Sequence, residues 1–409
     1  MKTKELNRII ERIASKIENT EFHGKTFIVG GFVRDKLLGN EQKDLDFVVN
    51  LADGGIKLAN YLYAQKSCSK PVIYKRFGTA MVQIGSQQIE FVMTRNECYQ
   101  DKSRHPEVLF GDIREDAFRR DFTINALYYN ISDKQIYDFT DSGLKDLKNK
   151  VLRSTSNPDI IFQEDPLRIL RALRFSGRLD FTIESTTWDG IFKWSHYLQY
   201  ISIERIKDEF ALMILGEGAE CSLNLCFKAK VMNYIFPVLS EHQEEVTGLI
   251  SLLTELPSDI KLRLALLFSN IHDYEAIYSA ITHLTISKKI AKLIVGIVEN
   301  NHHLQDFSSI GSVNSFVFNN LTTLPLALQI RDVIKFPLQN QKMIEDKIEF
   351  FTKAEYPLDG MEIISSLKLK HSAEINYYIE KAKRIWIENP EMVKEEILKK
   401  LIKEEKSIH

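Results

Sequence analysis

The stretch "IVGGFVRDKLLGNEQKDLDFVV", residues 28–49, sets the organisation of the N-terminal part of the chain. Its β-branched residues lead into the glycine pair Gly30–Gly31, the segment "FVRDKLLG" favours a helix, and "LDFVV" predicts a second strand. Asp44 and Asp46 stand one residue apart at the start of that second strand. The pattern therefore predicts a strand, a glycine turn, a helix and a strand that begins with two acids.

Each part of this stretch has a functional and an ordinary interpretation. Glycines without Cβ atoms let backbone N–H groups approach phosphate oxygens, aided by the helix N-terminus, although such a pair also occurs in plain turns. Asp44 and Asp46 on a strand project to the same face. Paired carboxylates suit Mg²⁺ and metal-assisted phosphoryl transfer, but they are also compatible with two solvated acids. Glu90, in the later strand "QIEFVMTR", is either a third acidic ligand or an edge-strand glutamate.

The composition limits the class of protein. The chain has 409 residues, a hydrophobic fraction of 44%, a charged fraction of 27% and a formal net charge of −2. These values predict two to four globular domains and neither require nor exclude a polyanionic partner. Four cysteines without a Cys-x-x-Cys pair predict reduced thiols in a cytoplasmic protein. No segment has the apolar length of a membrane span, so we expect no membrane partner. The sequence leaves the oligomeric state open, and a monomer is compatible with it.

Strand and helix patterns occupy different parts of the chain. Seven short segments rich in β-branched and aromatic residues predict strands before residue 150: "TFIVG", "LDFVVN", "PVIYK", "AMVQIG", "QIEFVMT", "ALYYNIS" and "QIYDF". From about residue 157 onward helical periodicity dominates. The sequence therefore predicts an α/β head followed by an all-helical remainder. A long polar connection, residues 96–118, lies within the head and is typical of a functional loop.

The segment "RRDFTINAL", residues 119–127, places two arginines and an aspartate ahead of apolar residues. We expect a helix here with Asp121 as its N-cap. The functional alternative places Arg119 or Arg120 on a triphosphate, because the guanidinium group matches phosphate geometry. Asp121 or Asn125 would then lie near the ribose.

A further segment, "EDPLRILRALRFSGRLDF" at residues 164–181, combines a helix start with a basic stripe. Pro166 fits the first position of a helix, and Asp165 and Arg168 are spaced to share one helix face. They predict either a weak surface ion pair or an acceptor and donors for the edge of a nucleobase. The stripe continues through Arg171, Arg174 and Arg178.

Taken in order, "GGFVRD", "DLD", "RRDFTINAL", "DSGLKDL", "EDPLRILRALRF" and "ISIERIKDEF" resemble the motif set of class II tRNA nucleotidyltransferases. That family includes the CCA-adding enzymes and the bacterial poly(A) polymerases, within the DNA polymerase β superfamily. The resemblance implies an elongated α+β protein with a polymerase β-type head that has a mixed sheet and flanking helices. It implies four parts: a head at 1–150, a helical neck at 151–215, a helical body at 216–340 and a helical tail at 341–409.

The resemblance also assigns roles to particular residues. Asp44 and Asp46 would be the catalytic ligands of Mg²⁺, with Glu90 as a further ligand, and Asp165 and Arg168 would act as a protein template for CTP and then ATP. The implied nucleotide-binding set is Gly30, Gly31, Arg34, Asp35, Arg119, Arg120, Asp121, Asn125, Asp165, Arg168, Arg171 and Arg174. The tail residues proposed to contact tRNA are Lys368, Lys370, Lys381, Lys383 and Arg384, with solvated helix charges as the alternative.

The implied activity is the addition of CCA to the 3′ end of tRNA from CTP and ATP. The full-length connection at 96–118 resembles that of enzymes that add the final A, which disfavours a CC-only enzyme. An A-adding tRNA enzyme, a poly(A) polymerase and an inactive RNA-binding homologue remain alternatives. The dipeptide His272–Asp273 resembles part of a metal-dependent phosphohydrolase motif, but without further histidines at ligand spacing we expect packed or exposed histidines there.

Overall fold

The computed structural model describes residues 2–42, 45–98, 107–304, 310–335, 338, 340–369 and 372–406. The chain divides into two compact units, Met1–Ile235 and Phe236–His409. The first unit contains all of the strands in the described residues, and the second consists of helices. This agrees with the α+β prediction, whereas the four-part division and the elongated arrangement stay predictions.

The seven strands predicted from sequence are all present, and together they form one seven-stranded sheet. They are β1 Thr26–Val29, β2 Asp46–Val49, β3 Val72–Tyr74, β4 Thr79–Ile84, β5 Gln87–Met93, β8 Leu127–Asn130 and β9 Ile136–Asp138. Two further short pairs lie outside this sheet: β6 Arg95–Cys98 with β7 Glu107–Phe110, and β10 Val151–Leu152 with β11 Thr182–Ile183.

The sheet is mixed, as predicted. Its strand order is β3-β4-β5-β2-β1-β8-β9, and only β2 and β5 run parallel among its neighbouring strands. The register places Asp46 opposite Val29 on one side and opposite Glu90 on the other. Parallel pairing requires a crossover, and the helix after β2 provides part of it. The two predicted acids at 46 and 90 therefore lie on adjacent strands.

Helices flank the sheet, and after β11 the described residues of the first unit form helices without further strands. Those before β8 are α1 Lys2–Ile17, α2 Gly31–Leu37, α3 Gly54–Ala64 and α4 Ile113–Phe118. Those after it are α5 Gly143–Lys148, α6 Pro158–Glu164, α7 Leu167–Leu179, α8 Ser185–Trp194, α9 Ile203–Leu215, α10 Ala219–Lys228 and α11 Met232–Ile235. Helix α7 packs tightly on α10, where a Cβ at Gly177 would lie 2.1 Å from Ser222 Oγ.

The second unit contains eleven α-helices in its described residues. They are α12 Pro237–Glu241, α13 Gln243–Ile250, α14 Ile260–Leu267, α15 Tyr274–His283, α16 Lys288–His303, α17 Ile310–Asn319, α18 Leu324–Ile334, α19 Gln341–Lys353, α20 Gly360–Leu367, α21 Ser372–Glu388 and α22 Lys394–Lys406. Trp386 is buried against Phe318, Phe351 and Tyr356, so it is a core residue. Across the residues that the structure describes, no helix is both long and apolar enough to span a membrane.

Two local predictions differ from the structure. The polar connection at 96–118 contains the β6–β7 pair and helix α4, which begins with a capping box between Asp112 and Glu115; residues 99–106 lie outside the described residues. The expected helix at 119–127 is instead a short 3₁₀ turn, Thr123–Asn125, followed by β8. This segment was misassigned because its residues are buried almost throughout, so no exposed face reveals the period.

Candidate active site

The glycine turn brings the backbone against Asp46. Gly30 has a φ of 81°, in the left-handed region that glycine adopts readily, and it joins β1 to α2. A Cβ placed on Gly30 would lie 3.9 Å from Asp46 Oδ2, and one on Gly31 would lie 3.5 Å from Arg34 Nη2. The predicted glycine pair thus adjoins both an acid and an arginine of the predicted set.

Two acidic side chains meet at the start of β2. Asp46 and Glu90 are register partners on parallel strands. Burial raises the pKa of the half-buried Glu90 carboxyl, the Asp46 charge raises it further, and Arg95 opposes the shift. Two neighbouring carboxylates repel each other when both are charged, and a divalent cation between them would compensate that repulsion. Hard cations also prefer oxygen ligands.

The other predicted metal ligand, Asp44, lies outside the described residues. Among the residues that are described, no group of three or more His, Cys, Asp or Glu side chains is placed to hold a metal ion.

Three arginines from two distant segments lie close together, and each arginine is paired with a carboxylate. Arg34 donates to Asp35 from Nε at 2.8 Å and from Nη2 at 3.0 Å, and its Nη1 donates to Asn125 Oδ1 at 2.6 Å. Arg171 donates to Asp121 Oδ2 at 2.6 Å, and Arg174 is paired with Glu209 of α9. Asp121 is therefore an ion-pair partner of α7 and not the N-cap of a helix. Although burial opposes it, the Arg171 charge lowers the pKa of Asp121.

A single aromatic ring supports these three arginines. The guanidinium carbons of Arg34, Arg171 and Arg174 lie 5.2, 5.2 and 4.3 Å from the ring centroid of Phe175. Phe175 is 6% exposed and packs edge-on against Phe122 at 6.0 Å. Cation–π contact leaves the N–H donors of each guanidinium available for carboxylates and for a ligand.

The motif resemblance implies that these arginines bind a nucleotide. On that role we expect Phe175→Leu to raise the KM for the nucleotide by about tenfold with a smaller change in kcat, because three guanidiniums lose the surface that orients them. Steady-state kinetics with ATP and CTP measures this effect. Phe162→Leu is the matched control, because it truncates a fully buried ring on α6 that has no cation contact among the described residues. An unchanged KM in Phe175→Leu would contradict the orienting role.

A buried aspartate that sequence analysis missed organises Arg119 and Arg120. Asp116 is fully buried and accepts from Arg119 Nη2 at 2.7 Å and from Arg120 Nη2 at 2.9 Å. The hydroxyl of Tyr128 also donates to Asp116 Oδ2 at 2.6 Å. Burial would raise the pKa of Asp116, but Arg120 and Arg119 hold it well below its usual range. The i, i+3 and i, i+4 spacing in "DAFRR" was the available sequence signal.

The predicted template pair is not a pair in the structure. Asp165 precedes α7 and pairs with Arg205 at 2.9 Å, while its Oδ1 accepts from the backbone N–H of Leu167 at 3.2 Å. Arg168 is 8% exposed and donates to the carbonyl of Arg119 at 2.7 Å and to Glu164 at 3.4 Å. Of the two interpretations of these residues, the surface ion pair between Asp165 and Arg168 is wrong, because each side chain has another partner, and the template role stays a prediction.

Two clefts open at Asp46. The first, which we call the arginine cleft, has a volume of about 410 Å³. It is lined by Gly30, Gly31, Phe32, Arg34, Asp35, Asp46, Arg120, Asp121, Asn125, Arg171, Arg174, Phe175, Arg178 and Leu212. Ten residues of the predicted set meet here, from four separate motifs. Asp165 and Arg168 are not among its lining residues.

The second, which we call the aromatic cleft, has a volume of about 460 Å³. It is lined by Val29, Asp46, Val48, Tyr74, Phe77, Thr79, Met81, Glu90, Val92, Arg95, Arg119 and Arg120. Asp46 and Arg120 line both clefts. The predicted metal ligands 46 and 90 and the predicted phosphate ligands Arg119 and Arg120 therefore share this second space.

The tail residues and the histidines lie in the second unit. Lys368 and Arg384 are exposed, and Lys370 lies outside the described residues. Lys381 is half-buried and pairs with Glu404 at 3.3 Å, and the half-buried Lys383 lies 5.2 Å from the ring centroid of Phe318. His272 and His302 stack with ring centroids 4.0 Å apart; His272 is exposed and His302 is half-buried, in agreement with the packed or exposed histidines expected there.

Comparison with known proteins finds similarity to tRNA nucleotidyltransferases and to poly(A) polymerases. Residues 26–153 match the family model for the poly(A) polymerase head domain, and residues 180–243 match that for a probable RNA- and SrmB-binding site of polymerase A. A tRNA nucleotidyltransferase of Schizosaccharomyces pombe is 34% identical over 264 residues, covering 59% of this chain and 54% of the relative. A CCA-adding enzyme of Ligilactobacillus salivarius is 29% identical over 368 residues, covering 88% of this chain and 86% of the relative.

The fold also matches a solved structure. The crystal structure of the Bacillus stearothermophilus CCA-adding enzyme in complex with CTP superposes with a TM-score of 0.77 at 19% identity, covering 98% of both chains. At that identity the match establishes the fold alone. The matched region of this chain spans about half the length of the first yeast relatives, between 43% and 54%.

Proposed function

We propose that this chain is a class II tRNA nucleotidyltransferase, a member of the family that contains the CCA-adding enzymes, and that it adds CCA to the 3′ end of tRNA from CTP and ATP. The two family-model matches and the similar relatives support this proposal. One observation carries the proposal: ten residues from four separate motifs, including a glycine turn, Asp46 and three anchored arginines, line one cleft. Such a cleft suits a triphosphate, because guanidinium groups bind phosphate through paired N–H donors.

In this proposal the nucleoside triphosphate and the RNA 3′ end bind in different clefts. The arginine cleft holds the nucleoside triphosphate, with Arg34, Arg171 and Arg174 offering donors to its phosphates. The 3′-hydroxyl of the RNA attacks the α-phosphorus in line, a new phosphodiester bond forms, and pyrophosphate leaves. Holding the two reactants in this geometry supplies much of the rate enhancement in such displacements.

The family uses divalent metal ions, and we propose Mg²⁺ for this chain. Asp46, Glu90 and the sequence-predicted Asp44 would hold it, and the register of β2 with β5 supports the first two. A bound Mg²⁺ would supply charge that stabilises the attacking and leaving oxygens. The protein's own contribution is to hold Asp46 where the two clefts meet, beside its register partner Glu90.

An incorporation assay with three acceptors tests the proposal. Purified protein, Mg²⁺ and labelled CTP or ATP are combined with tRNA ending before the first C, with tRNA ending in CC, and with unrelated RNA. We expect both nucleotides to be incorporated into the first acceptor, with synthesis stopping after three additions. Use of ATP on CC-ended tRNA alone would assign an A-adding enzyme, and long adenylate tails on any RNA would assign a poly(A) polymerase. Absence of incorporation would assign an inactive RNA-binding homologue.

For base selection we propose Asp165 and Arg168, which would exchange their present protein partners for a nucleobase. We expect Arg168→Ala to reduce the preference for the correct nucleotide at each step by about tenfold, the scale of one bidentate base contact. The measurement is kcat/KM for CTP and ATP on matched acceptors, with Arg8→Ala, an exposed arginine outside both clefts, as control. Equal loss for both nucleotides would mean that Arg168 only braces the carbonyl of Arg119.

We also propose that Lys368, Lys370, Lys381, Lys383 and Arg384 contact tRNA phosphates, supported by the exposure of Lys368 and Arg384. A reduced salt dependence of tRNA binding in charge-neutral variants would test this role. Finally, we propose a cytoplasmic location, supported by the free thiols of Cys68, Cys221 and Cys226 in the described part of the chain. Imaging of a tagged protein in its native cell would test it.

A further inference from the structure

The aromatic cleft contains side chains that the metal and triphosphate roles do not use. Tyr74 ends the edge strand β3, and Phe77 ends the 3₁₀ turn that follows it. Both belong to the cleft lining, and their exposed fractions are 45% and 46%. Burial of aromatic rings is favourable, so two rings exposed in one cleft with charged residues indicate a binding surface.

The surroundings of the two rings favour a polyanion with apolar faces. Lys75 and Arg76 lie between Tyr74 and Phe77 in sequence, and the guanidinium carbon of Arg76 lies 6.0 Å from the Phe77 ring centroid. Arg95 and Arg119 line the same cleft. Exposed aromatic rings interleaved with basic side chains are the surface that binds single-stranded nucleic acid, since every base has a stackable face.

The position of the aromatic cleft indicates that it would bind the 3′ end of the RNA. The aromatic and arginine clefts have Asp46 and Arg120 in common. The reacting 3′-hydroxyl must come close to the triphosphate at the carboxylates, and the aromatic cleft adjoins that point. Nucleotides just before the hydroxyl would therefore lie along the aromatic cleft.

We propose that Tyr74 and Phe77 form a stacking platform for the unpaired 3′-terminal nucleotides of the RNA acceptor, with Arg95 and Arg119 beside the RNA backbone. This inference rests on the proposed function, because it takes an RNA 3′ end as the second reactant. It assigns the aromatic cleft to single-stranded RNA and the arginine cleft to the nucleoside triphosphate.

The test uses the full chain and two labelled RNA hairpins, one blunt and one carrying an unpaired 3′ overhang of three nucleotides. Fluorescence anisotropy measures their binding without catalysis. We expect the wild-type protein to prefer the overhang, and Tyr74→Ala and Phe77→Ala each to reduce that preference by about tenfold. In active protein the KM for the acceptor should rise while the KM for CTP and ATP stays constant.

Matched variants separate the platform from general surface effects. Tyr63→Ala removes a tyrosine that is 47% exposed on α3 and outside both clefts, so it should retain the wild-type preference. Tyr74→Phe and Phe77→Tyr keep a ring and should retain it as well, whereas a variant that simply unfolds shows an altered circular dichroism spectrum.

An overhang preference that survives in the Tyr74→Ala/Phe77→Ala double variant, or that the folded wild-type protein lacks, would overturn the platform. Failure of the proposed function gives a different result: no nucleotide incorporation by the wild-type protein, whatever its preference among the RNAs.

Discussion

Replacing Asp46 with alanine is expected to reduce nucleotide incorporation by roughly 100- to 1,000-fold or more, the scale of losing one preorganised electrostatic group. Asp46 lines both clefts, lies beside the Gly30 turn and is the register partner of Glu90. Its removal therefore takes away a ligand of the proposed metal at the point where the two reactants would meet. Single-turnover incorporation measures the effect, and the sequence predicts the same result for Asp44→Ala.

The control for Asp46→Ala is an acid of the same region. Glu41→Ala removes an exposed carboxylate shortly before β2 that lines neither cleft. We expect normal incorporation from Glu41→Ala, and tRNA binding close to wild type from Asp46→Ala. Turnover within about tenfold of wild type in Asp46→Ala would refute the metal role.

The second large effect is expected from Asp116→Asn, which should destabilise the protein by about 3–5 kcal/mol. This is the usual cost of removing one partner from a buried charge pair, because the remaining charges lose their compensation. Arg119 and Arg120 would lose their common anchor, so incorporation should fall as well. Urea unfolding measures the stability change. Asp133→Asn, which neutralises an exposed carboxylate that accepts from the Tyr137 hydroxyl, is the control and should cost less than 1 kcal/mol.

The effect of Asp116 has a defined pH dependence. The folded state lowers the pKa of Asp116, so its stabilising contribution is complete above the unfolded value of about 4. That contribution is lost as the pH falls through the lowered pKa of the folded state. The stability difference between wild type and Asp116→Asn should therefore be constant near pH 7 and shrink below pH 4. A constant difference down to pH 2 would show that the carboxylate charge is not what stabilises the site.

The sequence predicted the sheet well because its signal is local. Each of the seven strands has the β-branched and aromatic composition of a half-buried or buried strand, and each is present. The β6–β7 pair was missed because "RNEC" has a polar composition. The segment at 119–127 was misassigned as a helix because burial on all sides removes the periodicity that separates strand from helix.

The sequence predicted the residues of the site better than their contacts, because several of those contacts join segments that are distant in sequence. The glycine turn and the arginines of α7 were found from motif order, and the structure brings ten predicted residues to one cleft. The partners of Asp165 and Arg168 could not be found by spacing, because Arg205 and the Arg119 carbonyl come from distant segments. Asp116 was overlooked although its arginines follow at helical spacing, because such pairs are usually surface ion pairs of little weight.

The ring shared by Arg34, Arg171 and Arg174 has a consequence for how this site can change. All three guanidinium groups contact the Phe175 ring, so a substitution that shifts the ring changes the positions of three charged groups together. Changes at these four positions will not combine additively, since neighbours that share a partner are energetically coupled. Replacements in the arginine cleft should therefore compensate one another, and the four positions are best varied as one group.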